Sequence, residues 1–161
     1  MKKIKLPKIG LRNLKTALAV FICMVIFDFF NNTNGFFACI AAVMCLKDTV
    51  ESSVTMGKNR LLGTGIGGII GLFAVFILDN FHILINFRAL IAAMCISLAI
   101  YICTIIKRPG SVIISCIVIS AILCNYNSMD PYYYAIGRMI DTGIGVVVAI
   151  LVNKFINPPV A

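Results

Sequence analysis

Apolar runs at 14–30, 36–46, 61–78, 89–106, 111–126 and 132–156 follow one another with only short polar breaks, and this leaves the backbone few ways to satisfy its hydrogen bonds. In lipid every N–H and C=O must be paired within a helix or around a closed barrel. The runs are continuous rather than alternating apolar and polar, so helices are expected and a barrel is not. A mean hydropathy of +1.03, with 61% hydrophobic and 12% charged residues, places the chain among integral membrane proteins rather than soluble cores. At about 20 residues per crossing, about six transmembrane helices are expected to use the chain, leaving no room for a soluble domain. The expected class is all-α integral membrane.

The breaks have turn chemistry. Residues 31–35 (Asn-Asn-Thr-Asn-Gly) and 125–131 (Asn-Tyr-Asn-Ser-Met-Asp-Pro) are turn clusters, and 107–110 (Lys-Arg-Pro-Gly) joins a break to positive charge. With a cytoplasmic N-terminus, every Lys and Arg falls inside except Arg88 and Arg138, which predicts both termini in the cytoplasm of a cell-membrane protein. The net charge of +8 then reflects topology and anionic lipid rather than nucleic acid. No small-residue cleavage site follows the first apolar run, so that run is expected to be retained. The organisation reads as a basic N-terminus (1–13), a first three-helix unit (14–79), an outer connection (80–88), a second three-helix unit (89–157) and a short tail (158–161).

Those units share a motif. Arg60-Leu-Leu-Gly-Thr64-Gly65-Ile66-Gly67 returns 78 residues later as Arg138-Met-Ile-Asp-Thr142-Gly143-Ile144-Gly145, matching at Arg, Thr, Gly, Ile and Gly. An odd number of spans per copy makes the second copy enter from the opposite side, so an inverted repeat is expected. Gly63, Gly67 and Gly71 lie four apart, and Gly145 with Ala149 forms a shorter stripe. Such faces allow close helix contact, and the third and sixth spans are expected to cross there. Further glycine faces would favour a homo-oligomer.

Charges inside apolar runs cost about 2.5 to 3.5 kcal/mol each on insertion scales and so mark candidate sites. Asp141 lies roughly 13 Å into a core about 30 Å thick, and Arg138, three residues earlier, is placed to pair with it. Arg60 lacks such a partner because Gly63 stands where Asp141 stands. The second run is too short to cross alone before Lys47-Asp48. The plain expectation is one helix continuing into the cytosol with Val43, Leu46, Val50, Val54 and Gly57 on one face; a functional reading makes Lys47, Asp48, Glu51 and Arg60 an inner vestibule.

Catalytic signals are missing: no nucleophile elbow, phosphate-cradling Lys loop, zinc-ligand cluster or dinucleotide fingerprint is present. No enzyme activity, cofactor or metal is expected. The glycines of 63–68 sit inside a membrane run and suit helix packing. The seven cysteines include no Cys-x-x-Cys and read as small buried residues. His82 reads as interfacial, and Tyr132, Tyr133 and Tyr134 as an outer aromatic belt.

The stretch from Lys47 through Gly67, with Arg138-Met-Ile-Asp-Thr-Gly-Ile-Gly145 and Asn153-Lys-Phe-Ile-Asn-Pro-Pro159, resembles the aromatic acid exporter family, also called the fusaric acid resistance (FUSC) family. The likeness covers nearly the whole chain, and its strongest element is Gly57, Arg60, Gly63 and Thr64. Many relatives carry Gln-Pro at the place of Lys47-Asp48, and many continue into a cytoplasmic domain. The resemblance implies a six-span inner-membrane module associated with efflux of aromatic carboxylic acids and similar organic anions. For an anionic cargo Arg60 and Arg138 are the sensible contacts, since a guanidinium grips a carboxylate through two parallel hydrogen bonds. Thr64 and Thr142, one turn further, add a hydroxyl each. One Arg/Thr pair would serve each side of an alternating path, with Asp141 releasing or engaging Arg138. An organic-anion transporter is the favoured reading, with a passive channel or a noncatalytic membrane scaffold or partner subunit as alternatives.

Overall fold

The computed structural model describes residues 10–30, 35–81, 87–126 and 130–156. The N-terminal lysines before Gly10, much of both turn clusters, the connection holding His82 and the last five residues lie outside them. Helices α1 (Leu11–Phe29), α2 (Phe36–Cys45), α3 (Val50–Asn80), α4 (Arg88–Ile105), α5 (Val112–Cys124) and α6 (Pro131–Phe155) make up the fold, with a 3-10 turn at Pro109–Ser111 leading into α5. No strand occurs among the described residues. Helices α3, α4 and α6 are long and apolar enough to cross a membrane, whereas α2 and the Pro109–Cys124 segment are shorter apolar helices.

Five of the six helices begin and end within about three residues of the expected runs; α3 departs. Its first turns take up the polar stretch that the sequence suggested was a continuation of the second run. In the fold α2 stops at Cys45, Leu46 turns extended, and a separate helix begins at Val50. The physical reason is a reciprocal cap. Thr49 Oγ1 accepts from Ser52 N (3.1 Å) while Thr49 N donates to Ser52 Oγ (3.3 Å), satisfying two of the free N–H groups at a new helix start. Glu51 adds a favourable charge in that first turn. The apolar face drawn through Val43, Leu46, Val50, Val54 and Gly57 is therefore broken in the middle.

The buried apolar residues form two clusters. One joins α1 (Ala19, Cys23, Phe27), α2 (Ala38, Ala41, Ala42, Cys45) and α6 (Val146, Val148, Ala149, Val152). The other joins α3 (Ile70, Ala74, Val75, Leu78), α4 (Ala99) and α5 (Ile114, Val118, Ile119, Ile122, Leu123), with Ala135 of α6 at its margin. Each cluster thus takes two helices from one half of the chain and the long helix from the other half. The two long helices, α3 and α6, run antiparallel against each other where the clusters meet, with Gly57 against Val146 and Gly65 facing Met139.

Glycine explains how the short helices seat. A Cβ on Gly63 would lie 2.6 Å from the Ser111 carbonyl oxygen, one on Gly67 would lie 2.6 Å from that of Ser115, and one on Gly71 would lie 2.8 Å from Ile122. The stripe therefore faces α5, along which it runs parallel. Gly145 packs in the same way on the Ala38 carbonyl and Ala41 of α2. The expected crossing of the third and sixth helices through Gly67 and Gly145 is thus corrected. Each of these glycines seats the short helix of the other half, because a bare Cα lets the backbone and β-branched side chains of α5, or the backbone and alanines of α2, come closest. These faces are filled within the chain and are not spare surface for a second copy.

Candidate anion site

Arg60, Arg138 and Asp141 are each only 7% exposed, and Thr64 and Thr142 are buried one turn beyond the arginines. Both arginines reach toward α2. The Arg138 guanidinium lies 3.6 Å over the Phe37 ring and donates to Tyr134 Oη at 2.9 Å. Phe37 and Tyr134 meet edge to face, with ring centroids 6.2 Å apart. Arg60 donates to the thioether of Met44. Phe37 and Met44 are seven residues apart, two helical turns on one face of α2 and about 10 Å along its axis.

Neither arginine has an acid partner among the described residues, where the one ion pair is Arg12 with Asp48 at 3.5 Å. The Nε atoms of both Arg60 and Arg138 are buried and make no hydrogen bond. The expected pairing of Arg138 with Asp141 is not formed. Arg138 extends instead to Tyr134, one turn earlier, and over the Phe37 ring of α2, and these two hold its guanidinium. Asp141 keeps its burial without a counter-charge in contact. Tyr134 correspondingly leaves the expected aromatic belt and joins the interior, while Tyr133 is exposed.

The vestibule residues do not converge. Asp48 and Glu51 are exposed, Asp48 turns to Arg12, and Lys47 is half-buried. An open groove of about 530 Å³ at this end is lined by Arg12, Asn13, Thr16, Ala17, Val43 and Leu46. It contains neither buried arginine.

The same end holds a polar cluster that charge patterning did not reveal. Lys15, counted among the cations on the cytoplasmic side, is only 5% exposed and donates to Asn153 Oδ1 at 3.0 Å. Asn153 Nδ2 donates to the Lys47 carbonyl (3.0 Å) and to Ser53 Oγ (2.9 Å), which also accepts from Lys47 N (2.9 Å). This ties α1 and α6 to the break between α2 and α3. One sequence signal was available: Lys15 begins a four-residue stripe with Ala19, Cys23 and Phe27, all buried.

A buried pair of guanidiniums, neither in an ion pair among the described residues, flanked by aromatic and thioether groups is chemistry suited to an anion. The model of the aromatic acid exporter family, member 1, matches residues 7–156. The chain belongs to the aromatic acid exporter family. Among curated relatives, a UPF0421 protein of Bacillus cereus is 29% identical over 152 residues, covering 94% of this chain and 40% of its own length. UPF0421 proteins of Staphylococcus saprophyticus and Staphylococcus haemolyticus are 27% and 29% identical, again over 94% of this chain and 44% of theirs. The chain thus spans less than half the length of these relatives. No solved structure matches it. Membership of an exporter family agrees with the absence of catalytic motifs in the sequence and with helices built for lipid.

Proposed function

We propose that this chain is the transmembrane module of an exporter for small organic anions, aromatic carboxylates foremost, in the cell membrane with both termini cytoplasmic. The observation that carries the reading is the pair of buried arginines, neither facing an acid and each with an unbonded Nε. An isolated buried cation is costly, and a carboxylate in the bidentate grip of a guanidinium removes that cost. Arg60 with Thr64 and Arg138 with Thr142 are the contacts in this reading. Asp141 competes with the cargo for Arg138, and Lys47, Asp48 and Glu51 edge the inner approach.

An inverted repeat of two three-helix units belongs to the same proposal. It is supported by the motif at 60 and 138, by the exchange of long helices between the two clusters, and by the matching seats of Gly67 and Gly145. Such repeats place a solute site near the midplane at their interface, and in this reading the two arginines flank that site.

The test is flux of labelled benzoate from proteoliposomes. Replacing both arginines by Gln at unchanged protein level is expected to reduce flux at least about a hundredfold, the loss of two charge-assisted contacts. Flux at the level of the unaltered protein would defeat the reading. Equilibration without accumulation under any ion gradient would make the module a channel, and no movement at all a scaffold.

A further inference from the structure

Lys15 is the third cation of the interior. Its ammonium has three N–H donors, yet its one hydrogen bond among the described residues goes to a neutral amide oxygen, Asn153 Oδ1. It makes no ion pair there. Asn153, fully buried, directs both its amide hydrogens elsewhere, to Ser53 and to the Lys47 carbonyl. That fixes its oxygen toward Lys15 and leaves the lysine charge uncompensated. A cation held this way costs several kcal/mol unless something offsets it. The carbonyl ends of α2 and α6 supply part of the offset, because Asn153 lies near the end of α6 and the α2 helix ends at Cys45 beside it.

The three cations are also ordered. Asn153 stands fifteen residues beyond Arg138 on α6, or about 22 Å along the axis. Arg60 falls between, since Gly57 and Gly65, which bracket it, meet Val146 and Met139 of α6. Lys15, Arg60 and Arg138 therefore succeed one another along the bundle, within about 22 Å along its axis.

We propose that Lys15 is the entry station for the anion at the end where α1 begins and α6 finishes, its carboxylate taking the two free ammonium donors before passing to Arg60. The proposal rests on the anion-transport reading. Its chemical content is that the charge of Lys15, and not only its hydrogen bond, serves transport.

The substitutions Lys15→Gln and Lys15→Arg separate those roles. Gln keeps a donor for Asn153 and removes the charge; Arg keeps the charge. Labelled benzoate flux is measured in inside-out and right-side-out membrane vesicles, which present opposite ends of the bundle. K15Q is expected to raise KM about tenfold from one side and leave it unchanged from the other, the worth of one charge-assisted hydrogen bond, while K15R stays within about twofold. Unaltered KM from both sides in K15Q, with Arg60→Gln still impaired, would overturn the proposal and leave the transport reading standing. Wild-type flux in both K15Q and R60Q would instead bring down that reading. Should K15Q not reach the membrane, Asn153→Asp substitutes for it by fixing a carboxylate against Lys15. The same one-sided rise in KM is then expected, and its absence overturns the proposal.

Discussion

Arg60 and Arg138 occupy the same position of one repeated motif and share a face of α2, yet their surroundings differ. Arg138 is laid flat on an aromatic ring and held by a tyrosine hydroxyl; Arg60 rests on a flexible thioether. Three residues on, one helix has a buried carboxyl and the other a glycine pressed against α5. A planar, delocalised cation over a ring is pre-oriented, whereas methionine lets its partner shift. The comparison teaches that one motif carries the same charge at both places while the neighbours decide how firmly each is aimed.

The largest effect separates scaffold from site. Leu at Gly67 or Gly145 must displace the backbone of a neighbouring helix and is expected to cost several kcal/mol, read as loss of folded protein in membranes. Leu at Gly143, where an added Cβ meets nothing within 4 Å, should leave the yield nearly unchanged. Equal losses at all three would break the inference that the two tight glycines hold equivalent seats. Next come the arginines themselves. Lysine cannot reproduce a stacked, forked cation, so Arg138→Lys is expected to cut benzoate flux about tenfold, and Arg60→Lys only about threefold, in proteoliposomes. The reverse ranking would show that the aromatic setting does not orient Arg138. A smaller change sharpens the same contrast: Phe37→Leu removes a cation–π contact worth about 1 kcal/mol and should raise KM for benzoate about fivefold, with Met44→Leu within about twofold. Smallest is Tyr126→Phe, which contacts neither arginine and deletes a hydrogen bond to Asp79. Because this pair is largely exposed, about 1 kcal/mol or less is expected, seen as a melting shift of a few degrees at most with flux unaltered.

Apolar runs and turn residues were enough to locate five of the six helices, because lipid leaves an apolar segment no option but a helix. The start of α3 escaped for a local reason. Thr49 and Ser52 form a cap, but Ser replaces the Glu or Gln that usually marks one, and an apolar face runs across the break. At the site, burial of Arg60, Arg138 and Asp141 followed from their place in apolar runs. Partnership did not follow, since a spacing of three suggested an ion pair, while the guanidinium of Arg138 is taken instead by the Phe37 ring and the Tyr134 hydroxyl. Lys15 and Asn153 were hidden differently: each stands at the polar edge of a run, and only the stripe of Lys15 with Ala19, Cys23 and Phe27 hinted that its charge folds inward.

Helix α2 is short, and both arginines address it, Arg138 near its first turn at Phe37 and Arg60 near its last at Met44. The N-cap residue, Gly35, offers no side chain to cover the free N–H groups. Backbone polarity therefore adds positive potential beside one guanidinium and negative potential beside the other, each effect worth about 0.3 to 1 kcal/mol. An anion exchanging between the two would dwell longer near Phe37 than near Met44. Under the anion-transport reading, ten residues of main chain would thus set a preferred resting place for cargo without any side chain having to move.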